Sequence, residues 1–550
     1  MGEKIFIIGL DGATWDIIDP LIAKGELPSI KNLLENGTRA ALKSYIVTAS
    51  PAVWTSVATG CNPEKHGLFD FTYRKKDTYE QIPYNSRDSK CETLWKILGR
   101  EGKKVGVLNV PGTYPVDKVN GFMVTGLPTP EEKEDYTYPK NLLFELRKEL
   151  GKDFRFQPQI HVLNEAPFLG EMNAVSDYVY QATDYLMNNY PWDFLMTVFM
   201  GTDAIGHAFW KYMDPEHPLY DASAPKEYKH AISNIYKNID KKIGLLQKNI
   251  GSDTTLILMS DHGFGPLHYG VSINNWLLKE RFLALKRNAS TRLRYWMFQR
   301  GVNYYNLLKL TKALGLTKQV SEAADSPKSS LLDLVNKFFL TNKDIDWNRT
   351  VAYSMGSGGQ FFINLKGREP QGIVEPNGEY YKLVNQITTR LSELRDPNNN
   401  NIVFDEIYNK KEAYPLSRIE DNAPDIVFYD KNKRYHINRF FLFGSKELIS
   451  KHPVWSGTHS QNGIFVACND DHIRKGGEIE QVGICDIAPT VLHIMGLSIP
   501  KIMDGEMLRG IFEKSSKVYG RKTVYKSHSR TKEEARVNLK IKELKRMNKI

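Results

Sequence analysis

KIFIIGLD, residues 4–11, is the stretch of this sequence from which the fold can be worked out. Residues 5–8 form a continuous apolar run, and Gly9 and Gly12 bound it. A short apolar run of this kind predicts a strand buried on both faces, as in a parallel sheet. Ligands of open α/β sheets bind just beyond the carboxyl ends of the strands, and Asp11 lies at that point. Asp11 is therefore a candidate metal ligand, with a helix-capping Asp as the simpler interpretation of the residue alone.

The composition is that of a globular protein. The chain has 550 residues, of which 41% are hydrophobic and 25% charged. One large α/β domain with insertions and two or three domains both fit this length. No window approaches the roughly 18 consecutive apolar residues of a membrane span. The apolar N-terminal stretch is too short for a signal peptide, because Asp11 and Asp16 follow it, and we expect a cytoplasmic protein.

The net charge of +10 is concentrated at one end of the chain. Residues 514–550 contain 13 Lys and Arg and 3 Glu, so this tail carries a charge of +10 and the rest is neutral. A basic tail is compatible with anionic lipid or nucleic acid, and also with a solvated helix. The alkaline pI therefore gives no information on the catalytic body, and we predict no specific nucleic-acid partner.

A turn that could supply a nucleophile lies in TASPAVWTSVATGCNPEKHG, residues 48–67. Ser50 and Pro51 lie where a strand gives way to a helix, and Pro is favoured at the first helical position. The backbone dipole at a helix N-terminus favours an oxyanion or a bound phosphate. Ser50 is therefore a candidate nucleophile, with a plain N-cap as the simpler interpretation. Thr48 is the competing nucleophile.

Asp and His recur at later positions where a metal site would need them. Asp203 and His207 are four residues apart in GTDAIGHAFW, so a helix puts them on one face, within reach of one ion. Asp261 and His262 follow the apolar run TTLILM, where a strand should end. His459 lies between glycines in GTHSQNG, and we expect it in a turn before a strand.

Residues 281–318 are basic and contain no acidic residue. Nine Lys and Arg occur there, interleaved with aromatic residues that include Trp296 and Tyr304. This pattern predicts either a helical lid that meets an anionic or lipid-linked substrate or the membrane surface, or a solvated helical insertion.

The ordered set of segments carries a family resemblance. Asp11, the Ser50 turn with its TG and HG pairs, TDAIGH, SDHG, GTHSQNG and DIAPTVL follow one another as in the alkaline phosphatase superfamily. The chain resembles specifically the type I phosphodiesterase/nucleotide pyrophosphatase branch, over roughly residues 4–510. The implied fold is an alkaline-phosphatase-like three-layer α/β/α sandwich, with a mostly parallel central sheet, metals at the strand ends and a helical cap insertion.

The resemblance also implies two divalent metal ions, usually zinc, with manganese as the alternative. One ion would take Asp203, His207 and His459, and the other would take Asp11, Asp261, His262 and the nucleophile. Three Asp and three His suit zinc. Two ions about 4 Å apart hold the attacking and leaving oxygens of an in-line phosphoryl displacement.

Counting within the family pattern favours one nucleophile. The family nucleophile lies nine residues before the Thr of the TG pair, here Thr59, and that position is Ser50. An insertion in the turn would make Thr48 the nucleophile instead. The implied reaction has two steps, attack of Ser50 on phosphorus and hydrolysis of the phospho-serine by water.

The sequence departs from the family at the residues that would hold the phosphoryl oxygen. Animal-type members carry an Asn shortly after the HG pair, where this chain has Phe71. Asn109, Tyr114 and Arg87, on predicted strand-end loops, are candidate replacements for substrate binding. A sulfatase would need an Arg at Val53, which argues against that activity.

We therefore expect a metal-dependent phosphodiesterase or nucleotide pyrophosphatase, acting on a phosphate-ester or nucleotide-like small molecule. A phosphomonoesterase, a phosphonate hydrolase and a phosphoglycerate-mutase-like phosphotransferase are the alternatives on the same ligands. A non-catalytic binding protein would have no chemical need for all six ligands and the serine. Contact with an anionic membrane or lipid-linked substrate, through residues 281–318 and the tail, is a further expectation.

The predicted organisation is a core at 1–277 and 346–513, a helical cap at 278–345 and a basic tail at 514–550.

Overall fold

The computed structural model describes residues 3–130, 132–151, 164–313, 338–356, 358–419, 421–431, 434–437, 443, 445–452 and 454–527. Residues 314–337 of the predicted cap and 528–550 of the predicted tail lie outside them. The strands are β1 (Lys4–Leu10), β2 (Gly37–Lys43), β3 (Thr72–Arg74), β4 (Gln81–Pro83), β5 (Val105–Val110), β6 (Gly121–Thr125), β7 (Thr137–Tyr138), β8 (Phe194–Phe199), β9 (Thr254–Met259), β10 (Gly263–Pro266), β11 (Tyr269–Val271), β12 (Ala352–Tyr353), β13 (Gln360–Ile363), β14 (Glu406–Asn409), β15 (Ile426–Tyr429), β16 (Tyr435–Ile437), β17 (Ile449–Ser450), β18 (Gly457–Ser460), β19 (Asn462–Cys468), β20 (Gly477–Gly483), β21 (Ile499–Pro500) and β22 (Tyr525–Lys526).

The α-helices of the described residues lie mostly between these strands. They are α1 (Trp15–Ala23), α2 (Pro28–Glu35), α3 (Ser50–Thr59), α4 (Pro63–His66), α5 (Leu94–Arg100), α6 (Leu142–Leu150), α7 (Glu165–Asn189), α8 (Gly201–Met213), α9 (Lys226–Lys229), α10 (Ala231–Gln247), α11 (Ile273–Lys279), α12 (Ala289–Gln299), α13 (Tyr304–Ala313), α14 (Gly378–Ser392), α15 (Lys410–Ala413), α16 (Ile487–Ile494) and α17 (Lys517–Gly520). Among these helices, none combines the length and the apolar character needed to cross a membrane.

The central sheet is mixed and mostly parallel, as predicted. Its nine strands have the order β20-β2-β19-β9-β1-β8-β5-β6-β7. Five of the eight neighbouring pairs are parallel, and the antiparallel pairs are those of β19 with its two neighbours and of β6 with β7. The N-terminal strand β1 therefore lies in the middle of the sheet, between β8 and β9.

Helices cover both faces of this sheet and give the three-layer sandwich. Phe6 and Ile8 of β1 belong to one apolar core, which includes side chains of α1, α2, α7, α8 and α10. Ile5 and Ile7 point to the opposite core, with side chains of α3, α5 and α16. This alternation follows from the pleat of the strand, and both faces are buried because β1 is apolar throughout.

A large insertion leaves the central sheet after β9 and rejoins it at β19. Its residues 267–456, here called the second unit, have their own apolar core and a four-stranded sheet of order β12-β13-β15-β14. The predicted boundaries at 278 and 346 therefore differ from the observed topology, because residues 346–456 pack into this second core. The helices predicted in the cap are present as α12 and α13.

A further local feature of the fold lies within residues 129–170. The described part of this region contains β7, α6 and the first turn of α7. Leu142, Leu143 and Leu146 of α6 are buried against the central core. The amphipathic spacing of these leucines stabilises a short helix, which ends at Gly151 in the left-handed conformation with a φ of 67°.

Asp425 holds the second unit together through a buried ion network. Its carboxylate lies 2.6 Å from Nη2 of Arg368 and 3.1 Å from Nζ of Lys410, and it accepts a 2.9 Å hydrogen bond from the Tyr380 hydroxyl. Burial alone would raise the pKa of Asp425, but Arg368 and Lys410 lower it to about 2. The network therefore stabilises the unit at neutral pH, and its contribution decreases as the pH falls from about 4 towards 2.

We expect Asp425→Asn to destabilise the protein by about 3–5 kcal/mol, because buried Lys410 would lose its carboxylate partner and buried Arg368 would keep only Glu369. The measurement is the midpoint of urea unfolding at pH 7. Asp421→Asn is the control, since the Asp421 side chain is 41% exposed. Equal midpoints for the two variants would contradict the role assigned to Asp425.

Candidate metal centre and active site

Strand direction brings the polar segments of the sequence to one edge of the central sheet. β1, β8 and β9 are parallel, and β2 runs the same way because β19 lies antiparallel between β2 and β9. Asp11, α3, α8 and Asp261 follow the carboxyl ends of these four strands. The backbone N–H of Asp11 also donates to the carbonyl of Phe199, the last residue of β8, at 2.9 Å.

His459 reaches the same edge from the opposite direction. The antiparallel strand β19 begins there, and the short strand β18 precedes it. β18 pairs with β10 so that His459 lies opposite Phe264. The sequence suggested a turn at His459, whereas the residue is part of this two-stranded ribbon, which continues the chain from His262.

Five of the six predicted Asp and His ligands form one compact cluster. The ligand atoms of Asp203, His207 and His459 lie within 4.8 Å of one another, and those of Asp11, Asp203 and His262 form a second such group. Asp203 therefore belongs to both groups. The rings of His262 and His459 stack with centroids 3.8 Å apart, which joins the two groups into one centre.

The three histidines present the same nitrogen to this centre. Nδ1 lies 2.7 Å from the Gly457 carbonyl in His207, 2.6 Å from the Thr48 carbonyl in His459 and 3.0 Å from the Gly263 carbonyl in His262. A carbonyl oxygen only accepts hydrogen bonds, so Nδ1 carries the proton in each ring. Nε2 of each ring therefore points inwards, which is the orientation that metal-binding histidines adopt.

The spacing of these nitrogens indicates a cation between them. Nε2 of His207 and Nε2 of His459 are 2.9 Å apart, and Oδ1 of Asp203 lies 3.4 Å and 3.1 Å from them, respectively. Two lone pairs repel at this distance unless a proton or a metal ion separates them. Two imidazoles and a carboxylate are a ligand set suited to zinc.

The charges of the carboxylates also indicate a cation in this centre. Burial raises the pKa of Asp11 well above its usual value, and the charges of Asp261 and Asp203 raise it further. Burial and Asp203 likewise raise the pKa of Asp261. Burial opposes ionisation of Asp203 too, but His207 and His459 take its pKa well below the usual value. In the described part of the chain no Lys or Arg pairs with these three carboxylates, and buried charges need such compensation.

Asp261 lies beside the compact group of Asp11, Asp203 and His262. Its Oδ1 accepts a 3.2 Å hydrogen bond from the Gly12 N–H, and its Oδ2 lies 3.3 Å from Nε2 of His262. Oδ2 is fully buried, and among the described residues no hydrogen-bond donor reaches it. Asp261 therefore adds a buried carboxylate oxygen beside that group.

Ser50 is the hydroxyl residue in contact with the centre. It is the first residue of α3, whose ten residues are all buried. Its Oγ lies 3.3 Å from Oδ1 of Asp11 and 3.4 Å from Nε2 of His262. The N-terminus of α3 therefore combines a hydroxyl, a carboxylate and an imidazole with the positive end of the helix dipole.

Thr48 has a different relation to the centre. Its carbonyl accepts the hydrogen bond from His459, and the residue lines a cavity of about 140 Å³ that reaches His459. No contact of the Thr48 hydroxyl with a ligand residue is seen among the described residues.

Sequence reasoning missed Trp54, which holds Asp11 in place. The indole Nε1–H of Trp54 donates to Oδ2 of Asp11 at 2.8 Å, and Trp54 is fully buried. The ring crosses β1 at Gly9, where a Cβ would lie 2.5 Å from the indole. The sequence contained a signal for this role of Trp54, because Trp54 follows Ser50 by one helical turn and therefore lies on the same face of α3.

The three predicted substrate-binding residues are not part of this cluster. Asn109 is fully buried inside β5, where its Nδ2 donates to the Val198 carbonyl at 2.8 Å. The Tyr114 hydroxyl donates to Asp135 at the surface. Arg87 is an exposed turn residue, and no contact of its guanidinium with the centre is seen in the described residues. Asn109 and Tyr114 thus lie at and just after the carboxyl end of β5, but among the described residues no hydrogen bond joins these three side chains to the cluster.

Comparison with known proteins agrees with the resemblance read from the sequence. The sequence model of the type I phosphodiesterase / nucleotide pyrophosphatase family matches residues 5–440. A search of curated proteins finds no match. Similar solved structures include murine ectonucleotide pyrophosphatase / phosphodiesterase 5, with 13% identity, coverage of 90% of this chain and 96% of that chain, and a TM-score of 0.48.

A second solved structure supports the fold. Phosphonoacetate hydrolase from Sinorhizobium meliloti 1021 has 14% identity and a TM-score of 0.51, and the match covers 90% of this chain and 95% of that chain. The nine-stranded sheet and its flanking helices thus form an alkaline-phosphatase-like fold. Because the family match covers most of the chain, this protein belongs to the type I phosphodiesterase / nucleotide pyrophosphatase family, whose members are metal-dependent hydrolases of phosphate esters.

Proposed function

We propose that the protein hydrolyses phosphodiester or pyrophosphate bonds of nucleotide-like small molecules through a phospho-Ser50 intermediate. The observation that carries this proposal is the contact of Ser50 Oγ with Asp11 and His262 at the buried N-terminus of α3. Attack by a serine oxygen divides the hydrolysis into two easier displacements.

Two divalent cations, zinc or manganese, would fit the centre. Asp203, His207 and His459 would hold one, and Asp11, His262 and Ser50 would hold the other, with the free oxygen of Asp261 beside it. The support comes from the three inward Nε2 atoms, the uncompensated carboxylates and the orphan Oδ2 of Asp261. When bound, such cations lower the pKa of a coordinated hydroxyl and stabilise charge on attacking and leaving oxygens.

The chain itself supplies position and charge. Asp11 and His262 fix the Ser50 oxygen, and the dipole of α3 stabilises the anionic phosphoryl group that Ser50 receives. The Ser50 hydroxyl donates to Oδ1 of Asp11 at 3.3 Å, so this carboxylate is the group placed to accept the proton that leaves Ser50. The Asn that animal-type members use is absent, so the helix N-terminus carries more of the oxyanion stabilisation.

The remainder of the substrate would occupy the cavity beside His459. The second unit contributes aromatic walls from Phe404, Phe428 and Tyr435, and the core contributes Thr48 and Gln461. The Tyr429 hydroxyl donates to Oε1 of Gln461 at 3.0 Å, which orients that amide at the cavity wall. A group with one flat face and several polar atoms, as in a nucleotide, suits this lining.

The test compares bis-p-nitrophenyl phosphate with p-nitrophenyl phosphate as substrates, with zinc or manganese added. We expect the diester to be preferred and the phosphoryl group to be trapped on Ser50 by rapid acid quench and peptide mass analysis. A preference for the monoester would instead assign a phosphomonoesterase, and absence of activity on every phosphate ester in the zinc-loaded protein would refute the proposal.

We predict that Trp54→Phe weakens metal binding by about 10–100-fold, since loss of an outer hydrogen bond to a ligand has that effect. Phe keeps the apolar ring over Gly9 and removes only the donor to Asp11. The measurement is a zinc titration against a chromogenic chelator. Trp95→Phe is the matched control, because Trp95 Nε1 donates to Asp117 away from the centre. Equal zinc affinities for the two variants would contradict the role of Trp54.

Location and surface contacts remain proposals. The cytoplasmic location follows from sequence features alone. The same is true of a lipid-linked substrate and of contact between the basic tail and an anionic membrane.

A further inference from the structure

Helix α12 is anchored to the second unit along one side. Thr291 and Phe298 are buried there, and the Thr291 hydroxyl donates to Asp344 at 2.7 Å. Nε of Arg294 donates to the same carboxylate at 3.0 Å, and the Phe298 ring meets Phe443 edge-on. These contacts fix the rotation of the helix about its axis, so the opposite side faces solvent.

The opposite side of α12 exposes large apolar groups. Leu293 is 57% exposed and Trp296 is 51% exposed, and the guanidinium of Arg300 lies 3.8 Å from the Trp296 ring. With 3.6 residues per turn, positions 293, 296 and 300 form one stripe, about half a turn from the anchored stripe at 291, 294 and 298. We call Leu293, Trp296 and Arg300, with Arg292 beside them, the outer face.

The charge around the outer face has one sign. Lys286, Arg287 and Arg292 are exposed, and no Asp or Glu occurs between residues 281 and 318. Of the acidic residues that flank this segment, the structure describes Glu280, which pairs with Arg390, and Asp344, which pairs with Arg294. Among the described residues, the basic groups of the outer face have no carboxylate partner.

We propose that the outer face of α12 binds the surface of an anionic phospholipid bilayer. Trp and Leu stay at the headgroup boundary, where one side is apolar and the other wet, and Arg pairs with lipid phosphates. An acidic protein or a nucleic acid would satisfy the arginines but would leave Leu293 without an apolar environment. Arg300 is already stacked on the Trp296 ring. The pair would therefore present a cation and an aromatic ring together to the headgroups of the bilayer.

The test is co-sedimentation of the full chain with large vesicles of phosphatidylcholine containing phosphatidylglycerol. Wild type should bind, binding should weaken as salt rises, and vesicles of phosphatidylcholine alone should bind at least about tenfold less. The double variant Leu293→Ala/Trp296→Ala and the variant Arg292→Glu/Arg300→Glu should each lower the partition at least about tenfold.

Two control variants test whether vesicle binding depends on the outer face or on any exposed apolar residue. Phe144→Ala and Leu416→Ala remove apolar groups that are 72% and 64% exposed elsewhere, and they should bind like wild type. Hydrolysis of a soluble diester should be unchanged in every α12 variant, so failure of the surface and failure of the proposed reaction are distinguishable. Wild type that does not bind, or α12 variants that bind like wild type, would overturn the proposal. Release of the wild-type protein from the vesicles by soluble glycerol phosphate would instead indicate a pocket for a single headgroup. That result would also overturn the proposal.

Discussion

Ser50→Ala is expected to lower kcat/KM on the diester more than about a thousandfold, a loss of roughly 4 kcal/mol of transition-state stabilisation. The residual activity would come from the Asp and His residues that Ser50 contacts, with water as a poorer nucleophile. Because Oγ makes only long contacts of 3.3 and 3.4 Å at the edge of the centre, the variant should fold and retain its zinc content. Steady-state kinetics and metal analysis on one preparation measure both results.

Thr48→Ala is the control for this prediction. Thr48 contributes its backbone carbonyl to His459, and that contact survives loss of the side chain. We expect activity within about tenfold of wild type, since less than 1.4 kcal/mol is at stake. If Thr48→Ala is the inactive variant and Ser50→Ala is active, the nucleophile is Thr48 and the cluster assignment stands.

Asp203→Asn is expected to have the largest effect on metal content. Asp203 belongs to both compact groups, and its Oδ1 is the anionic partner of the two facing imidazoles of His207 and His459. Replacing the carboxylate by an amide removes a negative charge shared by both ions. Zinc affinity should fall by more than the roughly 10–100-fold typical of an outer partner, and diester hydrolysis should fall with it.

Asp240→Asn is the matched control, because Asp240 is also a buried Asp. It accepts hydrogen bonds from the backbone N–H groups of Ser29 and Ile30 at the start of α2, away from the centre. This variant should lose some stability and keep its full metal content. A zinc stoichiometry in Asp203→Asn equal to that of wild type would refute a shared ligand.

Much of the centre was predictable because it depends on local rules. A buried parallel strand ends at a ligand edge, which identified Asp11 and Asp261, and the helical period joined Asp203 to His207. The family order added His459 and Ser50. These inferences need only the strand or helix on which each residue lies.

Other features were not predictable, because they depend on tertiary packing. Asn109 was expected on a loop, but it continues β5 with a φ of 54° and donates to the neighbouring strand. The position of Asp203 in both compact groups could not be read from the sequence, because it depends on how α8 packs beside β1. The extent of the second unit was missed because residues 346–456 continue the α/β alternation, and periodicity does not show which core a strand joins.

The two ends of the second unit lie side by side. Pro266 pairs with Gly457 across the β10–β18 ribbon, and the Leu267 N–H donates to the Ser456 carbonyl at 2.8 Å. A segment with such closely spaced ends behaves as a replaceable module, since exchanging it leaves the rest of the backbone where it was. The proposed nucleophile Ser50 and all six proposed Asp and His ligands lie outside it, whereas Phe404, Phe428 and Tyr435 of the cavity lie inside it. Substitution or recombination within this module would therefore change which substrate is accepted and would leave unchanged the residues proposed to break the bond.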